Sequence, residues 1–270
     1  MVHDVAFMRP DADRFFDPPT RAYLDRWTAT NVHRAERVIA VSDWVREELV
    51  RIYGLGLDQV DVAPHGVDGD RFMRRSHRLD VCPTLRRLGI NAPYILFLGT
   101  LQPRKNLGTL VRGCAVARHR GMSHELVLAG GRGWRYADVA AEIYGAEDGG
   151  VHQTGAIDPN DLPLLLAGAS AFISVALDEG FGMPVLEAMA SGVPVVAANQ
   201  GGLASAVGDA GIQVDPMDVD AIANALLRVT SDETLRQELC ARGRSRASEF
   251  TWERAAERVW QSLEYACESS

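Results

Sequence analysis

Cysteine is scarce and scattered. The 270 residues contain four, Cys82, Cys114, Cys240 and Cys267, with no C-x-x-C pair among them. This argues against both a disulfide framework and a structural zinc site, and makes a reducing cytoplasm the expected compartment. No apolar run approaches the roughly 18 residues that crossing a bilayer takes. Met1-Val2-His3-Asp4 shows neither the basic nor the apolar stretch of a secretory leader. Positive charge is in deficit, 28 Lys and Arg against 36 Asp and Glu for a formal net charge of −8, so a general nucleic-acid binder is not expected. A small local basic site for phosphate remains compatible with that balance. There is no internal repeat and no low-complexity segment. At 47% hydrophobic and 24% charged residues, the chain has the composition of a globular protein of one large or two modest domains.

From about residue 93 the sequence alternates short apolar runs with amphipathic stretches. Tyr94–Leu98, Glu125–Ala129, Val151–Thr154, Ala171–Val175, Val193–Ala197 and Gly211–Val214 are apolar enough to be buried on both faces, as parallel strands are. Between them, Leu107, Leu110, Val111, Cys114 and Ala115 share one helical face, and helices are predicted over 161–167, 184–190 and 218–229. Two more are predicted near 231–248 and 252–267, the last with Thr251 as its N-cap. The alternation over 93–230 predicts a doubly wound α/β sheet. Ahead of it, Arg37–Val41 reads as a strand, Ser42 caps a helix over 43–51, and Val60–Ala63 is a short strand leading to the turn Pro64-His65-Gly66-Val67-Asp68. Residues 70–87 are rich in Arg (Arg71, Arg74, Arg75, Arg78, Arg86, Arg87) and weakly periodic, and read as a solvated linker; contact with an anionic lipid surface is the alternative.

In open parallel sheets, ligands bind beyond the carboxyl ends of the strands. Five loops with Gly and polar residues fall there: Gly99 to Asn106, Gly130 to Trp134, Gly155 to Ile157, Asp178 to Glu187, and Asn199 to Gly202. Arg104 and Lys105, adjacent before a helix, can hold a diphosphate, Arg by its fork and Lys as a point charge, or simply be a solvated helix start. Gly180 and Gly182 let backbone approach a ligand closely. Pro184 suits the first turn of a helix whose free N–H groups face an anion. Glu179 and Glu187 can accept hydrogen bonds from sugar and ribose hydroxyls, though exposed glutamates at this spacing are common.

Glu179 to Glu187 within EGFGMPVLEAMASGVPVVA resembles the E-x7-E signature of the retaining glycosyltransferases of family 4, also called group 1. GTLQPRKN, LAGGRGW, VSDWVREELV and HGVD resemble further segments of that family, in order, over nearly the whole chain. The resemblance implies a GT-B fold: an α/β protein with a complete C-terminal Rossmann-like doubly wound parallel sheet and, here, a partial N-terminal Rossmann-like domain. It implies a nucleoside-diphosphate sugar as donor substrate, with GDP-mannose favoured by the PRKN and GGRGW pattern and a UDP-sugar as the alternative, and no further cofactor and no metal. Arg104 and Lys105 would stabilise the donor diphosphate and the leaving nucleoside diphosphate, and Glu179 would hold the donor sugar. Gly182, Met183, Pro184 and Val185 would line the sugar-diphosphate turn, and Glu187 would bind the ribose. Gly155 and Ile157 would sit near the base, with Gly99 and Gly130 in the loops beside them. His3, in VHDVAF, matches the family's histidine near the transferred sugar.

The expected organisation is a partial acceptor-side domain over 1–63, a linker over 64–92, a donor-binding domain over 93–250, and a helix over 251–270 packing back on the N-terminal part. Family members carry more residues ahead of the segment that begins at Val2, so the acceptor domain is expected to be truncated and the strand bearing His3 to lack most of its residues. His65 stands where Asn is common in the family. The expected reaction is transfer of a hexose, mannose for preference, to a glycan or lipid-linked acceptor with retention of anomeric configuration, in the cytoplasm or at the inner membrane face. The rivals are a non-catalytic nucleotide-sugar-binding remnant and a nicotinamide-dependent oxidoreductase, the latter disfavoured because GGRG does not make the GxGxxG fingerprint.

Overall fold

A computed structural model of the chain describes residues 1–76, 82–91, 93–146 and 150–268. After two single 3-10 turns, Ala6–Met8 and Ala12–Arg14, comes helix α1, Pro18–Arg34, started by Asp17, whose carboxylate accepts from the Thr20 N–H at 3.0 Å, and by prolines in its first turn. Strand β1 (Val38–Ala40) leads through Ser42, whose hydroxyl accepts from the Val45 N–H at 3.2 Å, into α2 (Asp43–Tyr53). Gly54, at φ 67°, ends that helix in the left-handed conformation that glycine adopts without strain. β2 (Val60–Val62) pairs in parallel with β1, and α3 (Gly69–Ser76) and α4 (Cys82–Arg87) follow. The stretch read as irregular linker therefore carries two helices. Arg78 lies outside the described residues, as do the side chains of Arg74 and Arg75.

The remaining elements alternate: β3 (Tyr94–Leu98), α5 (Leu107–His119), β4 (Glu125–Ala129), α6 (Tyr136–Ala146), β5 (Val151–Gly155), α7 (Leu162–Ala167), β6 (Ala171–Ser174), α8 (Met183–Ala190), β7 (Val195–Ala198), α9 (Gly201–Val207), β8 (Ile212–Val214), α10 (Val219–Ser231), α11 (Glu233–Ala247) and α12 (Trp252–Glu268). The strands form one six-stranded parallel sheet in the order β5-β4-β3-β6-β7-β8. This is the doubly wound α/β arrangement, and its order reverses between β3 and β6, where a crevice opens at the carboxyl ends of the strands.

Burial on both faces explains the apolar runs. Ile95, Phe97, Leu126, Leu128, Ile173 and Val196 face one core with Leu110 of α5 and Ile222 and Leu226 of α10. The alternate residues Tyr94, Leu96, Val127, Phe172 and Val195 face the other. That second core continues without a break into Val5, Phe7, Phe15, Val38, Ala40 and Leu49. Residues 1–63 thus share their apolar interior with the large sheet. α12 lies over the small sheet, with Arg258 donating to the Val62 carbonyl at 3.2 Å and Arg37 set 4.4 Å from the Tyr265 ring centroid.

Candidate functional site

Backbone close-packing shapes the carboxyl ends of β3 and β4, at one side of the crevice mouth. Gly99 (φ 150°) and Gly130 (φ 152°) end adjacent strands, and a Cβ on Gly130 would stand 2.0 Å from the Gly99 carbonyl oxygen. The chain then makes a single tight turn over Pro103–Lys105. Asn106 closes it at φ 57°, its amide donating to the carbonyls of Val175 (3.2 Å) and Pro216 (2.7 Å). The Leu177 N–H donates to the Arg104 carbonyl at 2.9 Å. The turn that presents Arg104 and Lys105 is therefore stapled to the loop that presents Glu179.

The charges converge. The Lys105 ammonium donates to Glu179 Oε2, and Arg104 Nη1 lies 3.7 Å from the same oxygen. Arg104 Nη1 also donates to the Asp178 carbonyl at 3.0 Å, and its Nη2 lies 3.6 Å from Asp4 Oδ2. The three side chains of Arg104, Lys105 and Glu179 are only 12%, 12% and 18% exposed, so this is no solvated helix start. Burial by itself would raise the Glu179 carboxyl, but the Lys105 and Arg104 charges outweigh it and hold the group below the usual carboxylate range. Burial pulls the Lys105 ammonium down. Asp178 is pushed up to about 6 by burial, against the pull of Arg9, whose Nη1 lies 3.5 Å from it and donates to the Leu177 carbonyl at 2.9 Å.

Gly180 sits where the N-terminal segment crosses the glutamate loop; a Cβ there would come 1.8 Å from the His3 carbonyl oxygen. Gly182, at φ 104°, caps α8 without a side-chain hydrogen bond, leaving the Met183 end of the helix open, with Pro184 in its first turn. Val185 follows in the same turn. Its side chain is fully buried and its N–H donates to the Gly182 carbonyl at 2.9 Å, so it offers a ligand no donor. Glu187, one turn further on, receives no hydrogen bond or ion pair on its carboxylate from a described residue. Burial pushes it up to about 7, with Arg71 pulling the other way. Arg71, Gly99, Gly130 and Ile157 share the wall of a cavity of about 360 Å³, together with Leu98 and Thr100. Gly155, at φ 74°, is exposed at the end of β5 and outside that wall; its carbonyl accepts from the Gly130 N–H at 2.9 Å.

His3 is braced despite its place at the chain start. The Val2 N–H donates to the Ile39 carbonyl at 2.7 Å in a parallel bridge beside β1, and the His3 ring stacks on His65 with centroids 5.1 Å apart. His3, Asp4 and Arg104 line one cleft of about 610 Å³ with Phe16, Trp27 and Trp134. The loop after β4 closes that cleft: Trp134 Nε1 donates to the Phe15 carbonyl at 2.7 Å, and Arg135 to those of Asp13 and Arg14. Among the described residues no group of three His, Cys, Asp or Glu side chains could hold a metal ion.

Sequence reasoning gave no site role to Asp4, Arg9, Arg71, Asn106 and Asp178, although Asn106 and Asp178 lie in loops it placed beyond the strands and Arg71 in the Arg-rich stretch. Asp178 precedes Glu179 in a loop already singled out and could have been found there. Arg9 and Arg71 have no local pattern that announces them; only the fold brings them to the mouth. Gly201 and Gly202, read as loop, begin α9, and the Gly202 N–H donates to the Glu179 carbonyl at 2.7 Å.

Residues 92–232 match the family described as glycosyl transferases group 1, and residues 1–71 match glycosyltransferase family 4. An O-antigen chain mannosyltransferase B of Escherichia coli is 33% identical over 93% of this chain and 66% of its own length. Sucrose-phosphate synthase of Thermosynechococcus elongatus superposes with a TM-score of 0.74 at 26% identity, over 100% of this chain and 65% of its own. Anabaena HepE, solved with UDP and glucose, superposes with a TM-score of 0.75 at 20% identity, over 89% of this chain and 68% of its own, which speaks for the GT-B fold alone. The chain spans between 53% and 66% of the length of the curated relatives it matches.

Proposed function

The chain belongs to the group 1, family 4 glycosyltransferases, and from that membership we propose that it transfers a hexose from a nucleoside-diphosphate sugar to a glycan or lipid-linked acceptor, with retention of anomeric configuration. The observation that carries this reading is the buried convergence of Arg104, Lys105 and Glu179 at the β3/β6 crevice, beside the open end of α8.

A diphosphate entering that mouth competes with Glu179 for both cations. As it takes them, the Glu179 carboxylate becomes available to the hydroxyls of the donor sugar. Arg104, Lys105 and the N–H groups at the start of α8 then face the charge that builds on the leaving diphosphate as the sugar–phosphate bond breaks, which is where fixed donors accelerate most. Glu187 accepts from the ribose hydroxyls, and the cavity bounded by Gly99, Gly130 and Ile157 takes the base. His3 faces the transferred sugar from the N-terminal side. The acceptor hydroxyl attacks from the face the diphosphate leaves. No side chain of the cluster stands out as a covalent nucleophile.

GDP-mannose is the favoured donor, on the pattern of the PRKN and GGRGW loops and the mannosyltransferase relative; the UDP bound by HepE keeps a UDP-sugar as the alternative. We assign residues 93–250 to donor binding and 1–63 to the acceptor side. No helix among the described residues is long and apolar enough to cross a membrane; a site of action in the cytoplasm or at its membrane face belongs to the proposal.

Calorimetry with GDP, UDP and their sugars in EDTA tests the donor site, and transfer of labelled sugar to glycan and lipid-linked acceptors tests the reaction. Binding with turnover supports the proposal. Binding without turnover supports the non-catalytic reading instead, and no heat with any nucleotide at millimolar concentration overturns the site.

A further inference from the structure

His65 belongs to no part of the donor cluster, yet it occupies a junction of the whole molecule. Its Nε2 lies 3.1 Å from His3 Nδ1, and the two rings are within 15° of parallel. The edge of Phe181, in the glutamate loop, meets it at 5.5 Å between centroids, and Trp252 of α12 meets it at 6.0 Å. The turn that carries it is pinned. A Cβ on Gly66 would come 2.2 Å from the Trp252 nitrogen, the Val67 N–H donates to the Phe250 carbonyl at 3.0 Å, and Asp68 accepts from the Arg71 N–H at 2.9 Å. A residue held on so fixed a base can hold another.

We propose that His65 is a positioning residue for His3: it engages His3 Nδ1, holds the orientation of that ring, couples the tautomers of the two rings, and leaves Nε2 as the nitrogen that meets the transferred sugar. A neutral imidazole donates at one nitrogen and accepts at the other, so a partner at Nδ1 decides what Nε2 does. A lone His3 would divide between two ring flips, only one of them productive, with a tautomer tied to nothing. Burial, and then the nearness of a second protonatable ring in His3, hold His65 below the ordinary histidine range, which keeps it a neutral partner. The N-terminal segment faces it with the titratable ring of His3; the loop after β6 and α12 present it with the rings of Phe181 and Trp252. The inference rests on the sugar-transfer reading for its catalytic consequence, and on geometry alone for the ring pair.

Nitrogen-15 NMR of histidine-labelled protein without added nucleotide tests the pair, and the seven histidines can be assigned by single substitutions. The expected result is matched tautomer populations for His3 and His65 in the wild type and a changed His3 population in His65→Phe, which keeps a ring against Phe181 and Trp252 but offers no nitrogen. His65 should titrate below the ordinary range and move back toward it in His3→Ala. Unmatched tautomer populations in the two rings of the wild type, or a His65 titration indifferent to His3→Ala, overturns the pair. In transfer assays, His65→Phe should lower kcat about tenfold, the rate equivalent of one hydrogen bond, with donor KM within about twofold. His65→Gln, which restores a donor and an acceptor, should recover part of the loss. An unchanged kcat in His65→Phe overturns the positioning role. A coupled ring pair in a protein that binds neither GDP nor UDP sinks the sugar-transfer reading and leaves the pair, whereas nucleotide binding with uncoupled rings sinks the pair alone.

Discussion

The large sheet and the small one are built on different terms. The six strands of the large sheet have helices over both faces and a core on each. The small sheet has two strands paired over three residues each, with Val2 as a single bridge alongside, and its apolar residues join a core the large sheet also fills. One region is a scaffold and the other is stabilised by resting on it. The candidate site uses that asymmetry: Arg104, Lys105 and Glu179 come from stapled turns of the large region, while His3, Asp4 and Arg9 come from the segment that leans against it. The buried Arg104–Lys105–Glu179 cluster sits where the backbone is stapled, and the groups of the N-terminal segment hang from the dependent part.

The largest expected effect lies in the donor cluster. Lys105→Ala or Arg104→Ala should lower the transfer rate by about 10²–10³, the usual cost of removing one fixed donor from a developing anion, and should weaken GDP or UDP binding measured by calorimetry. Should transfer be lost with nucleotide affinity untouched, the cluster does not belong to the donor side and the division of labour between the regions breaks. Next comes the junction. Gly180→Val drives a side chain into the His3 carbonyl, so urea denaturation should show a loss of about 1–3 kcal/mol, the cost of overpacking an interior. Wild-type stability in that variant would mean that the N-terminal segment does not rest on the glutamate loop.

How far the sequence could be read follows the same division. In the large region, burial on both faces makes runs such as Tyr94–Leu98 and Ala171–Ser174 continuously apolar, so strands and order of elements are visible in the residues themselves. α1 was invisible to periodicity because only Val32 of its seventeen residues is buried; a cap and two prolines start it, and no apolar stripe marks it. The glutamate loop was legible because its glycines and proline are demanded by geometry at Gly180, Gly182 and Pro184. Arg9 and Arg71 were not, because each reaches the mouth by a long excursion of the chain. The role of Asn106, a left-handed residue whose amide ties two strand ends, needs Val175 and Pro216 placed before it can be seen.

A smaller effect separates the two glutamates of the loop. Glu187→Gln should weaken nucleotide binding by about 1–2 kcal/mol through a lost hydrogen bond to ribose. It should also change the pH dependence of stability. The folded-state value of about 7 lies above that of an unfolded glutamate, so the group favours the fold below the ordinary carboxylate range, and that contribution is lost as pH rises through about 7. The melting temperature of Glu187→Gln should therefore gain on the wild type between pH 5 and pH 8. A difference constant with pH would show that Glu187 ionises freely at the surface.

The smallest expected effect bears most directly on the contrast between the regions. Arg37 grips Asp61 of β2 through both its carboxylate oxygens and stands 4.4 Å from the Tyr265 ring, so α12 covers the small sheet through a cation held over an aromatic face. Tyr265 is 55% exposed, which limits what the contact contributes to about 0.5–1 kcal/mol. Tyr265→Ala should lower stability by about that amount. The more telling readout is where the loss appears. Because the small sheet has so few ladder bonds, its amides should open more often once the cover is loosened, and hydrogen exchange at Val38–Ala40 and Val60–Val62 should speed up by several-fold. Amides of the six-stranded sheet, protected on both faces, should not respond. Equal acceleration in both sheets would mean that they open as one unit, and that the small sheet is as integral to the scaffold as any strand of the large one.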